Sequence, residues 1–192
     1  MCIRFAYPFS TYREGILFQH HINSVSQLVV CPYDGFRPTV VALLITPQDG
    51  IVLLHSVKAG HGQWGLLQGG IKKRESLLKA LEREAEEELP GIELILPGVR
   101  LCGDCINEMP FERSRDAADK WMCVVVAPIR TLPAGYNPEE VDDICEVRSA
   151  AQLMPLLQKM RSKKRDIVCS AIETARHLGA LNWTAAPIPI AA

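Results

Sequence analysis

No apolar run in this 192-residue sequence approaches the roughly 20 residues a membrane-spanning helix requires; the longest, Val40 to Thr46 and Met122 to Ile129, fall far short. The sequence also lacks an excess of either charge. Its 21 lysines and arginines nearly balance 22 aspartates and glutamates, for a formal net charge of -1. No global positive field exists to draw the chain onto nucleic acid or an anionic membrane, so an anionic substrate must be held by local groups. The N-terminus, MCIRFAYPFSTYREG, lacks the basic region, apolar stretch and small-residue cleavage site of a secretory signal, and a cytoplasmic location is the expectation. The seven cysteines are odd in number and scattered through apolar runs without a framework. Cys102-Gly-Asp-Cys105 has the spacing of half a zinc site, but no second pair or histidine doublet follows at ligand spacing, so these thiols read as reduced core residues. No repeat or low-complexity tract is present.

What the sequence does have is a 48% share of apolar residues, enough for the core of one domain. Residues 1–32 read as an irregular N-terminal extension with a short strand at Gln27 to Cys31, residues 33–180 as the domain, and residues 181–192 as a C-terminal tail. The β-branched run Thr39 to Thr46, the turn Pro47-Gln-Asp-Gly50 and the run Ile51 to His55 predict a hairpin. A glycine-rich stretch, Gly60 to Gly70, precedes good helix formers from Ser76 to Leu89, which stop at Pro90-Gly91. Strands are expected near Ile92 to Leu96, Val99 to Ile106 and Lys120 to Ala127, with polar loops at Asn107 to Asp119 and Thr131 to Asp143. Two helices, about Ala150 to Met160 and Asp166 to Leu178, close the domain, the first kinked or shifted by Pro155. Strands and helices in this order predict helices packed against a sheet. The helix-rich C-terminus and apolar tail suggest a homodimer.

The helix over 76–89 carries the chemistry. Glu82, Glu84, Glu86, Glu87 and Glu88 crowd five carboxylates into seven residues. A solvated charged face is the ordinary explanation of such a run. Three facts weigh against it. Glu84 and Glu88 lie seven residues after Leu77 and Leu81, so they continue the apolar stripe toward the body of the protein. Glu84, Glu87 and Glu88 are three and four residues apart, which sets like charges side by side. The cluster also sits at the negative end of the helix dipole. A divalent cation between these carboxylates relieves all three conflicts, and an oxygen-only ligand set suits Mg²⁺ or Mn²⁺. Such an ion grips substrate phosphates and activates water. Upstream, Gln68-Gly69-Gly70 lets the backbone turn sharply and approach a ligand closely.

Together, Gly69, five residues, Glu75, seven residues and Arg83-Glu84-Ala85-Glu86-Glu87-Glu88 resemble the Nudix box, G-x5-E-x7-REU-x-EE-x-GU. The resemblance implies an α/β fold, an α/β/α sandwich with a mixed sheet and a loop-helix-loop motif, in which Glu84, Glu87 and Glu88 bind Mg²⁺ or Mn²⁺. It implies that Arg83 and Glu75 orient them. One departure is that Leu89-Pro90-Gly91-Ile92 carries one residue more than the pattern's x-G-U. Further stretches resemble the bacterial RNA pyrophosphohydrolases and dinucleoside polyphosphate hydrolases. Asp34-Gly-Phe-Arg-Pro-Thr-Val40 is similar to that subgroup's G-Y-R-P-N-V, WGLLQGG (Trp64 to Gly70) to its W-Q-F-P-Q-G-G, Lys120-Trp121 to its K-W, and Lys164-Arg165-Asp166 to its K-R-D. Gly65-Leu66-Leu67 departs from Q-F-P, and Lys163 stands where the subgroup carries an aromatic that helps hold the first base.

The expected reaction is metal-dependent hydrolysis of a phosphoanhydride bond in a nucleoside polyphosphate-containing substrate, with pyrophosphate removal from RNA 5′ ends as the leading case. Hydrolysis of dinucleoside polyphosphates or other small nucleotide anhydrides is the alternative, and a non-catalytic nucleotide-binding module the remote one. Glu140, in the acidic stretch Glu139-Glu-Val-Asp-Asp143, is the general base to which the resemblance points; Glu139, Asp142 and Glu146 are its neighbours in that role. Glu87, Arg83 and Glu75 complete the expected catalytic set. Arg37, Lys58, Gly69 and Gly70 are the expected substrate-binding residues, with the Lys72-Lys73-Arg74 run as further candidates for phosphate contact.

Overall fold

The β-branched apolar run of the sequence forms β1 (Arg37–Ile45), the strand around which the sheet is built. The computed structural model describes residues 22–32, 34–57, 63–107 and 120–183. After a turn in which Thr46 N–H donates to Gly50 O, the chain returns as β2 (Ile51–Ser56). Asp49 takes a left-handed conformation in that turn, which a short polar side chain tolerates. Next come β3 (Gln63–Gly65), β4 (Leu67–Gly70) and helix α1 (Leu77–Glu88), then β5 (Arg100–Asn107), β6 (Lys120–Pro128), β7 (Val141–Val147) and helices α2 (Ala150–Gln158) and α3 (Ser162–His177).

The seven strands form one mixed sheet in the order β3-β2-β1-β6-β5, with β4 also on β1 and β7 also on β2. β1 runs parallel to β6 over its whole length, and the other pairings are antiparallel. Alternation along β1 divides the core. Val40, Ala42 and Leu44 face α1 through Leu77, Ala80, Leu81 and Ala85. Val41, Leu43 and Ile45 face the opposite layer, where Leu153 and Leu157 of α2 and Ile167, Val168, Ala171 and Ile172 of α3 pack. The result is the expected α/β/α arrangement. Packing reaches past both expected boundaries of the 33–180 unit: Ile22 and Val29 are buried under the α1 layer, and Leu181 and Trp183 under the other. Trp183 is fastened by its indole N–H to Asp49 O at 2.7 Å. No helix among the described residues is long and apolar enough to cross a membrane.

Several expected elements differ in the structure. The stretch before α1 is two short strands, because Leu67 to Gly70 pairs in register with Thr39 to Ala42. The Gln27 to Cys31 strand reduces to a bridge between Leu28 and Ser76, and Ile92 to Leu96 to a bridge at Leu94 followed by a 3₁₀ turn at Leu96–Gly98. β7 begins inside the expected Thr131 to Asp143 loop. α3 starts at Ser162, four residues before the expected Asp166, with Lys163 to Arg165 in its first turn. Pro155 lies inside α2, which ends three residues later. The Asn107 to Asp119 loop, apart from its first residue, lies outside the described residues. Cys102, Cys105, Cys123 and Cys169 are buried, and burial pushes the Cys102 and Cys105 thiols up to about 12, as suits protonated core residues.

α1 is anchored mainly by Leu77 and Leu81, both fully buried. Leu81→Ala is expected to lower unfolding free energy by about 2–5 kcal/mol, read as a fall in the denaturant midpoint at unchanged m.

Candidate active site

α1 begins at Ser76, whose hydroxyl accepts the Lys79 N–H at 3.3 Å, and ends at Leu89 before the turn Pro90-Gly91. Gly91 adopts φ 76°, so the additional residue at the helix exit is taken up in a left-handed turn that glycine enters without strain. Nearly two turns in from that exit, Arg83 forms the densest polar contact of the site. Its Nε and Nη2 each donate to one oxygen of Glu75 at 3.0 Å, in the bidentate fork that suits guanidinium and carboxylate. Nη2 also donates to Gly70 O at 2.7 Å, and Nη1 to Glu84 Oε1 at 2.5 Å and, at the longer distance of 3.5 Å, to Glu87. Glu75 in turn accepts the Lys72 N–H at 2.7 Å. The hydrogen bonds from Arg83 hold the Glu75 carboxyl below the usual carboxylate range and raise the guanidinium further above its own.

Gly69 and Gly70 do something other than turn the chain. Both sit in β4, in register with Val40 and Thr39. A β-carbon at Gly69 would overlap the Glu84 carboxylate, and one at Gly70 the Arg37 guanidinium. The glycines therefore clear space on the strand for one anionic and one cationic head group.

Glu84 is buried, Glu88 half-buried and Glu87 half-exposed, as the apolar stripe predicts. All three line a single cleft of about 490 Å³ together with Glu140. Among the described residues no three carboxylate, imidazole or thiol groups stand at ready ligand spacing; Arg83 supplies the neutralising charge to Glu84 and Glu87. Glu140 reaches the cleft from 52 residues beyond Glu88 because the segment before β7 is fastened to the end of α1. Asn137 N–H donates to Glu88 O at 2.9 Å and its side-chain amide to Glu87 O at 3.1 Å, satisfying carbonyls a helix C-terminus leaves open. Asn137 O then accepts from Glu140 N–H and Val141 N–H. Of the other acidic candidates, Asp142 pairs with His55 and Glu146 with Arg148 and Thr46, and neither lines the cleft.

The remaining cleft wall is basic. Arg37 and Lys72 line it, joined by Lys120 and Lys164, to which the sequence alone assigned no role. Burial lowers the ammonium pKa of both lysines; beside Lys120 the Arg37 charge adds to this, and beside Lys164 the Lys120 charge does, opposed by Glu88. Lys58 lies outside the described residues.

The family model described as NUDIX domain matches residues 35–170, well over half of the chain. The chain belongs to the NUDIX domain family. Two RNA pyrophosphohydrolases are similar to this NUDIX protein. That of Saccharophagus degradans is 45% identical over 56 residues, covering 29% of this chain and 32% of the relative. That of Halorhodospira halophila is 43% identical over 56 residues, covering 29% and 30%. The chain thus spans less than a third of the length of these relatives. In fold, it resembles a NUDIX hydrolase from Nitrosomonas europaea, with TM-score 0.57 at 16% identity over 78% of this chain and 93% of that one. It also resembles a bifunctional NMN adenylyltransferase/ADP ribose pyrophosphatase from Francisella tularensis, solved with AMP and a Mn ion, with TM-score 0.55 at 18% identity over 74% and 43%.

Two outcomes test this geometry. Gly69→Ala forces the Glu84 carboxylate to move, which a flexible side chain does cheaply, so the melting temperature should change by only a few degrees while turnover of any NUDIX substrate falls about a hundredfold or more. The Glu75 pKa lies below its unfolded value of 4.5, so its contribution to stability is present above that pH and lost as pH falls through the folded value. Glu75→Gln should therefore be less stable than wild type near neutral pH, with the gap closing on acidification in a denaturation series.

Proposed function

We propose that this protein hydrolyses a phosphoanhydride bond in a substrate carrying a nucleoside polyphosphate, with Mg²⁺ or Mn²⁺ held by Glu84, Glu87 and Glu88. The observation that carries the reading is one cleft lined by the carboxylates Glu84, Glu87, Glu88 and Glu140 together with the bases Arg37, Lys72, Lys120 and Lys164. The donor set fits a hard divalent cation, since it is oxygen-only and Gly69 leaves the Glu84 head group room on the strand. When bound, the cation polarises a phosphoryl oxygen and lowers the pKa of a coordinated water.

The chain's own residues supply the rest. Glu140 takes the proton of the water that attacks phosphorus. Arg83 and Glu75 hold Glu84 in place, Glu87 completes the acidic wall, and Gly69 and Gly70 make room on the strand for the Glu84 and Arg37 head groups that face the substrate. Arg37, Lys120 and Lys164 bind the non-bridging oxygens; a polyphosphate among them offsets the burial and the mutual repulsion that lower the lysine pKa values. RNA 5′ ends are the leading substrate, supported by the similarity to RNA pyrophosphohydrolases, with release of pyrophosphate in the cytoplasm as the outcome.

The test is a panel of triphosphorylated RNA, diadenosine polyphosphates and nucleoside triphosphates, with Mg²⁺ or Mn²⁺, reading phosphate, pyrophosphate and nucleotide release. Pyrophosphate from RNA is the expected result, and Glu84→Gln and Glu88→Gln should each remove most turnover while retaining the folded circular dichroism spectrum. Turnover confined to the small nucleotides would replace the RNA assignment. A dead panel with tight nucleotide binding would replace the enzyme with a binding module.

A further inference from the structure

β7 contains an irregularity that bears on the site. Along its pairing with β2, Leu53 faces Cys145, Leu54 faces Ile144 and His55 faces Asp143, but Ser56 faces Val141, so the register shifts and Asp142 is the extra residue of a β-bulge. The shift has a packing consequence. Ile144 and Val141 pack in the same core layer, under α1, although they are three residues apart, a spacing that an unbroken strand would send to opposite faces. In regular register Val141 would turn out of that layer, and Glu140, one residue before it, would change face with it.

The bulged residue is held at two atoms. His55 Nδ1 donates to Asp142 Oδ1 at 2.5 Å, and Tyr136 Oη donates to Asp142 O at 2.7 Å. His55 points away from the cleft: its neighbours Leu54 and Ser56 line the cleft, while its own ring stands 5.2 Å from that of Trp64 on the other face of the sheet. Just beyond the end of β2 the chain is fixed to the acid segment, since Val57 N–H donates to Glu140 O at 3.0 Å. We propose that the His55–Asp142 pair is a positioning device, which fixes the bulge and through it the reach of Glu140 into the cleft. The pair touches no reacting atom. The inference rests on the reading of Glu140 as the general base.

The experiment measures kcat and KM for His55→Phe, which keeps a ring against Trp64 but loses the donor, and for His55→Asn, whose amide N–H stands near the Nδ1 position. Both are made in the wild-type and Glu140→Gln backgrounds. His55→Phe should lower kcat about tenfold with KM changed less than about twofold, and His55→Asn should restore most of that loss. In the Glu140→Gln background His55→Phe should cost less than about twofold, because a residue acting through Glu140 has nothing left to position. Amide exchange at Val57 should quicken in His55→Phe while that of Ile129, bonded to Ile45 O in the core, stays as in wild type. Asp142→Ala removes the same bond from its half-exposed end and should reproduce the pattern if His55→Phe does not fold. Wild-type turnover in both single variants, equal losses in both backgrounds, or unchanged Val57 exchange would each overturn the inference while leaving Glu140 as the base. Wild-type turnover in Glu140→Gln alone would overturn the base assignment and the inference with it.

Discussion

A single guanidinium joins the three segments that build the site. Arg83 reaches the last carbonyl of β4, both oxygens of Glu75 in the turn that follows, and Glu84 on its own helix. Without it the negative end of α1 would carry its glutamates beside one another and beside the helix's own open carbonyls. With it, the helix is locked in rotation and height against the strand, because a bidentate fork fixes angle as well as distance. The glycines of β4 follow from that lock: once Glu84 and Arg37 are brought against the strand, only a residue without a side chain fits beneath each.

The acid segment before β7 depends on the same helix from its other end. Asn137 satisfies carbonyls of Glu87 and Glu88, so the residues that need partners at the helix terminus recruit the loop that delivers Glu140. A helix end that is electrostatically unfavourable for carboxylates thus becomes the place where four of them line one cleft.

The parts of the fold visible in sequence are those whose pattern has one period. β1, β2, β5 and β6 are β-branched or apolar runs bounded by turn residues, and α1 carries an apolar stripe that extends into Glu84 and Glu88. β7 was hidden for the reason that makes it useful: Val141, Ile144, Cys145 and Val147 follow no single alternation, because the bulge at Asp142 resets it. β3 and β4 were hidden by their glycines, whose meaning as space for Glu84 and Arg37 depends on neighbours 15 and 33 residues away in the chain. Of the site, the glutamates, Arg83, Glu75 and Arg37 were legible, since spacing on a helix and the box pattern identify them. Lys120 and Lys164 were not, since a lone base at a strand or helix start carries no periodic signal, and only the sheet order brings β6 and α3 to the same cleft.

The near-neutral total charge conceals how the charges are sorted. The α1 wall gathers carboxylates against their mutual repulsion, and the facing wall gathers Arg37, Lys120 and Lys164, with burial and one another's charge lowering the lysine pKa values. Both clusters carry the same kind of electrostatic cost, with opposite sign. Arg83 relieves part of the first from within its own wall, and the Glu88 charge on α1 relieves part of the second. A ligand that offsets both must present cation to one wall and several anionic oxygens to the other at once. A polyphosphate chelating a divalent cation has that distribution, and a single neutral or monoanionic group does not. On the proposed reading, the sorting of charge favours that class of ligand before any contact to a base or sugar is made.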